Sequence, residues 1–156
     1  MLNLTTNTPE QTIVWGKQLA RFLKPGDVIA LSGNLGAGKT TFVKGIAQGL
    51  GINKKQVNSP SYVLIREYKG KNIELFHCDL YRLDNVEQIS FLGIEDYFDR
   101  EGVLVIEWAK RAGDLLPDQY LDISIALLGE KKRGFKVKAC GAKYQALINT
   151  LKIVIK

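Results

Sequence analysis

The chain has 156 residues, 46% of them hydrophobic and 24% charged, enough for one packed domain without a disulfide framework or a structural metal. No apolar run approaches the ~18 residues of a membrane span, and Met1 to Thr6 lacks a basic segment followed by an apolar core, so the expected compartment is the cytosol. A net charge of +6 suits a surface that meets phosphates or an acidic partner, but no aromatic residues interleave with the basic ones as in a base-stacking surface.

Thr8-Pro9-Glu10-Gln11 has the form of a capping box with proline at the first helical position. It predicts a helix with Trp15, Leu19 and Phe22 on one face, ended by Pro25-Gly26. Asp27 to Leu31 then reads as an apolar strand, and Phe42, Val43, Ile46, Ala47 and Leu50 recur at helical spacing until Gly51. Between them Gly33-Asn34-Leu35-Gly36-Ala37-Gly38-Lys39-Thr40 matches G-x-x-x-x-G-K-[ST], the phosphate loop. Its glycines let successive amides point into one concavity, and the helix that follows adds the positive end of its dipole. Lys39 is placed to put its ammonium on outer phosphates and the Thr40 hydroxyl to hold a magnesium ion, with Thr41 as a further hydroxyl.

Asn53 to Pro60 must be loop. Tyr62 to Tyr68 and Ile73 to Cys78, flanking Lys69 to Asn72, predict a β-hairpin. Asp84-Asn85-Val86-Glu87 is a second capping box, opening a short helix that Gly93 closes. Val103 to Ile106 is a continuous apolar run, suited to a strand covered on both faces. Leu121 to Leu127 alternates, Phe135 to Ala139 reads as its partner strand, and the turn between carries Lys131-Lys132-Arg133 as solvated charge. Tyr144, Leu147, Ile148 and Leu151 predict a final helix; Lys152 to Lys156 fit either helix or strand. Cys78 and Cys140 lack metal-ligand spacing and are expected as buried thiols.

Hydrolysis at a phosphate loop needs a second carboxylate at the end of a neighbouring strand. Two positions compete, Glu107 after the Val103 to Ile106 run and Asp79 after Ile73 to Cys78, and both can act, one on the metal and the other on water or as a sensor of the third phosphate. Glu107 could instead form a surface ion pair, and Asp79 a helix cap or a pair with Arg82. Trp108 reads as core or as ligand contact, and His77, the only histidine, as a packing residue and not a general base. Ser59 and Ser61, around Pro60, sit where many phosphate-loop proteins place a segment that senses the third phosphate.

Five ordered blocks, G-N-L-G-A-G-K-T-T-F-V-K-G from Gly33, N-S-P-S-Y-V-L from Asn58, H-C-D-L-Y-R-L from His77, L-G-I-E-D-Y-F from Leu92 and V-I-E-W from Val105, make the chain resemble the TsaE (YjeE) family. That family of bacterial ATPases takes part in threonylcarbamoyladenosine formation on tRNA. The resemblance implies a single P-loop NTPase domain of α/β class over residues 1–156, with a central mixed, mainly parallel sheet flanked by helices. It implies binding of ATP and Mg2+, slow ATP hydrolysis alone, and work with TsaB and TsaD proteins on the adenosine beside the anticodon. By matching position, Lys39 and Thr40 become nucleotide and metal ligands, Glu107 the second magnesium ligand, Asp79 and Trp108 active-site wall, and Ser59 to Ser61 the switch. Asn34, Cys78 and Ser61 depart from the usual acidic residue, Phe and Thr at those positions.

Guanine specificity is not expected, because Asn53-Lys54-Lys55-Gln56 lacks the aspartate of N-K-x-D. A small-molecule kinase remains a rival, although Arg100, Arg111 and Arg133 are scattered and form no obvious lid. A nucleotide-gated binding module, with hydrolysis incidental, is the non-enzymatic alternative. Thr8 to Thr12 is a candidate wall for an adenine pocket.

Overall fold

The computed structural model describes residues 1–154. Seven strands, β1 (Leu2–Thr6), β2 (Val28–Ser32), β3 (Ile65–Lys69), β4 (Glu74–Asp79), β5 (Gly102–Glu107), β6 (Tyr120–Leu127) and β7 (Arg133–Cys140), form one sheet in the order β1-β7-β6-β2-β5-β4-β3. The helices are α1 (Pro9–Ala20), α2 (Lys39–Gly49), α3 (Val86–Phe91) and α4 (Ala142–Val154). Lys152 to Val154 thus continue a helix, while 155 and 156 lie outside the described residues. Among the described residues no helix is long and apolar enough to cross a membrane.

The sheet is α/β and mixed, as expected, but not mainly parallel. The central pairings β6–β2, β2–β5 and β5–β4 are parallel, and the outer pairings β1–β7, β7–β6 and β4–β3 are antiparallel. The short links after β3 and β6 permit only hairpins, and β1, a strand its short polar sequence did not announce, closes one edge.

Side-chain alternation sends the central strands into two cores. Ile29, Leu31, Leu75, Val103 and Val105 pack under α1, α2 and α4, whereas Val28, Ala30, Phe76, Cys78, Leu104 and Ile106 pack with Ile89 of α3 and the short helical segments Ile94–Tyr97 and Ala109–Leu115. That double coverage is why Val103 to Ile106 reads as an unbroken apolar run. Cys78 is buried, and burial pushes its thiol above the ordinary range; Cys140 is half-buried, not buried as expected.

Local signals set most helix starts. Thr8 Oγ1 accepts from Gln11 N, and Gln11 Oε1 accepts from Asn7 N. The second capping box is shifted by one residue. Asn85, not Asp84, caps α3, accepting from Gln88 N, while Gln88 Oε1 accepts from Asp84 N. Helix α1 ends at Ala20, well before Pro25.

Helices α1 and α2 cross with their backbones almost touching. A Cβ on Gly16 would lie 2.5 Å from Phe42 O and 2.9 Å from Ile46 N, and one on Gly45 would strike Ile13 O. Because backbone stands on both sides, neither helix can yield locally. Gly45→Ala is therefore expected to destabilise the fold by about 2 kcal/mol or more, outweighing the ~1 kcal/mol that alanine gains in helix propensity. Denaturant unfolding checks this; a variant as stable as the parent would mean the crossing is looser than its geometry.

Candidate active site

The loop Gly33 to Gly38 leaves the carboxyl end of β2 and becomes α2. Gly38 is left-handed (φ 99°) and has no side chain to cap α2, so the first-turn amides remain available to an anion. At Gly33 a Cβ would lie 2.5 Å from the Ile125 carbonyl, so a side chain is excluded by space as well as by φ. Asn34 and Leu35 are exposed, and Ala37 is buried behind the loop. Lys39 Nζ donates to the carbonyls of Gly33 (2.8 Å) and Asn34 (3.0 Å) and lies 4.4 Å from the centre of the Trp108 ring. Burial lowers its pKa from the ordinary lysine value; Glu107 and Asp79 pull in the opposite direction by stabilising the cation.

The two competing carboxylates stand side by side. Asp79 ends β4 and Glu107 ends β5, in parallel register with each other, and Leu31 of β2 pairs with Glu107 on the other side. The side chains have different partners. Glu107 Oε1 accepts from Thr40 Oγ1 and contacts His77 Nε2, each at 2.8 Å. Asp79 Oδ2 accepts from Ser59 Oγ (2.6 Å) and Ser61 Oγ (2.8 Å), and its Oδ1 from Tyr81 N (2.9 Å).

Both alternatives considered for these acids are set aside. Glu107 is buried and forms no surface ion pair, and Asp79 closes a local turn at Tyr81 without capping a helix. Arg82 stacks on the Tyr62 ring at 3.9 Å. The Asn58 to Leu64 segment is held by Asp79 and by the turn Leu64 N to Pro60 O, with Leu64 left-handed at φ 72°. Tyr62 to Leu64 are consequently outside the hairpin, and β3 starts only at Ile65.

Trp108 is also left-handed (φ 59°), a strained conformation for a bulky residue. It turns the chain directly after Glu107, and its ring is half-buried against Tyr81 and Lys39.

A cavity of about 450 Å³ is bounded by Gly36, Gly38, Lys39, Thr40 and Thr41 on the loop side. Ser59, Ser61, Tyr62, Asp79, Tyr81, Arg82, Glu107 and Trp108 bound the other. Leu35 sits on its rim, 70% exposed, whereas Gly33 and Asn34 line a neighbouring groove and Thr8 to Thr12 do not border the cavity. No cluster of three His, Cys, Asp or Glu side chains suited to a metal occurs among the described residues. The hard oxygen donors of Thr40 and Glu107, meeting beside the loop, fit a magnesium ion that takes its other ligands from water and phosphate.

Two contributions escaped the sequence reading. Arg133, assigned to a solvated turn, donates from Nε to Ala37 O (3.0 Å) and from Nη2 to Gly36 O (3.3 Å). Its Nη1 gathers the carbonyls of Gly129, Glu130 and Lys132, so the β6–β7 turn braces the loop. Its place beside Gly134 at a strand start held no local hint of this. His77, read as packing, is buried and tied to Glu107; the i, i+2 spacing of His77 and Asp79 on one strand face was the available signal.

Residues 6–135 match the family model described as "Threonylcarbamoyl adenosine biosynthesis protein TsaE". The chain is 42% identical over 150 residues to the tRNA threonylcarbamoyladenosine biosynthesis protein TsaE of Bacillus subtilis, covering 96% of this chain and 93% of that protein. It is 37% identical over 136 residues to the protein of the same name from Treponema pallidum, covering 87% and 99%. The fold is similar to the crystal structure of YdiB from Bacillus subtilis, with a TM-score of 0.83, 38% identity, and coverage of 99% of this chain and 96% of that one.

Proposed function

The chain belongs to the TsaE family, and from that premise we propose that it is a Mg2+-dependent ATPase serving threonylcarbamoyladenosine formation on tRNA, in a complex with TsaB- and TsaD-type proteins in the cytoplasm. The observation that carries the reading is the convergence of the loop amides, Lys39, Thr40 and Glu107 at the carboxyl edge of the parallel strands.

In this reading the amides of Gly36 to Thr41 and the Lys39 ammonium hold the polyphosphate, and a bound Mg2+ supplies charge neutralisation and orientation of its oxygens. Thr40 and Glu107 hold that ion. Lys39 exchanges its two loop carbonyls for phosphate oxygens and keeps its alignment through the Trp108 ring. Ser59 and Ser61 donate their hydroxyl protons to Asp79 in the empty site and turn them to the outer phosphate when it is bound, so the segment between α2 and β3 senses whether that phosphate is present. Trp108 and Tyr81 pack together as one wall of the cavity.

The arginines support hydrolysis over the kinase alternative. Arg100 is engaged with Glu67, Arg111 with the carbonyls of Leu80, Tyr81 and Leu83, and Arg133 with the loop, leaving Arg82 as the arginine on the cavity wall.

Release of phosphate from γ-labelled ATP tests the proposal, measured with the protein alone and then with TsaB, TsaD and tRNA. Slow release alone and faster release in the mixture is the expected result. Label on a small acceptor would mark a kinase, and no release under any condition a nucleotide-gated binding module.

A further inference from the structure

We infer that His77 is a positioning residue for the Glu107 carboxylate, donating its Nε2 proton to Oε1 and so fixing Oε2 as the oxygen offered to the cavity. The inference rests on the Mg·ATP reading above. His77 is fully buried on β4, on the same strand face as Asp79 and opposite Val105 of β5. Glu107 Oε1 takes two contacts of 2.8 Å, from His77 Nε2 and from Thr40 Oγ1. Its Oε2 has no hydrogen-bond partner among the described residues and is not among the sealed unpaired atoms, and the side chain lines the cavity. The carboxylate is thus held by one oxygen and presents the other.

The tautomer follows from the other ring nitrogen. Nδ1 is buried and has no partner among the described residues, so a proton there would be a stranded donor, while an ionised Glu107 needs one at Nε2. Packing does not account for this residue. An apolar side chain of the same volume would fill the space between the core residues without leaving Nδ1 unpaired, and it would remove the only imidazole in the chain. A ligand carboxylate oriented by a second side chain is the arrangement by which proteins tune a metal site from outside its coordination sphere.

The contrast that tests this is His77→Gln, whose amide nitrogen reaches about as far as Nε2, against His77→Leu, which keeps bulk and loses the donor. ATP affinity is measured by calorimetry across a Mg2+ titration and without Mg2+, with thermal unfolding as a check of folding. The expected result for His77→Leu is a rise of about tenfold in the Mg2+ concentration that half-saturates the Mg2+-dependent gain in ATP affinity. Mg2+-free ATP binding stays unchanged, and His77→Gln stays close to the parent. Should the leucine variant not fold, His77→Asn, whose shorter amide cannot span to Oε1, takes its place against His77→Gln.

An unchanged Mg2+ titration in the leucine or asparagine variant overturns the role. So does a glutamine variant that is shifted as far as the leucine one, since that reports shape alone. If the parent protein binds ATP with no Mg2+ effect at all, the Mg·ATP reading itself fails, and the parent titration shows this separately.

Discussion

Lys39→Ala is expected to lower ATP turnover by about 10²–10³-fold, the scale for removing one preorganised charge-stabilising donor. Lys39 is the buried cation of the site: its ammonium rests on the Gly33 and Asn34 carbonyls and over the Trp108 ring, with Asp79 and Glu107 favouring its charge. Alanine would remove the proposed phosphate contact and leave the two neighbouring carboxylates without that cation. Affinity for Mg·ATP, read by calorimetry, should fall with turnover, because the same ammonium serves ground state and transition state. Circular dichroism and unfolding curves separate this from misfolding. A folded variant with the parent's turnover would remove the loop from the chemistry.

Glu107→Gln should separate binding from hydrolysis. Glutamine keeps the shape of the side chain and an oxygen that can accept from Thr40 and His77, so the change is mainly one of charge. Mg2+-dependent hydrolysis is expected to fall by about 10²-fold or more, while ATP binding measured without Mg2+ remains close to the parent. Alanine is the harsher variant, since it also strands His77, which would then have no partner at either ring nitrogen. A glutamine variant with a normal Mg2+ response would move the metal role to Asp79, which stands beside Glu107 in strand register.

The loop, its strand and its helix were legible because their signals are local. Glycines at fixed offsets, a β-branched apolar run and a helical period each specify backbone shape within a few residues. The same held for the double-sided burial of Val103 to Ile106 and for the alternation from Leu121 to Leu127. Local signals failed where a neighbour one residue away offered the same chemistry, or where a side chain distant in sequence held the backbone. Asn85 displaced Asp84 as the cap of α3, and Tyr62 to Leu64, apolar enough for a strand, bend into the turn that Asp79 holds.

Motif and period in the chain were enough for the glycine-rich loop between β2 and α2 and for the α/β class of the fold, and the five ordered blocks were enough for the family. Which partners Asp79 and Glu107 take was not there to be read from the residues alone, because it depends on which strands lie next to each other and in what register. Placing β4 and β5 in parallel sets both acids at one edge, directs Thr40 and His77 to Glu107, and gives Ser59 and Ser61 to Asp79. The bracing of the loop by Arg133 arises in the same way, from a turn nearly a hundred residues downstream. Contacts between residues so far apart in sequence leave no periodic trace; strand order and the close crossing of α1 and α2 create them.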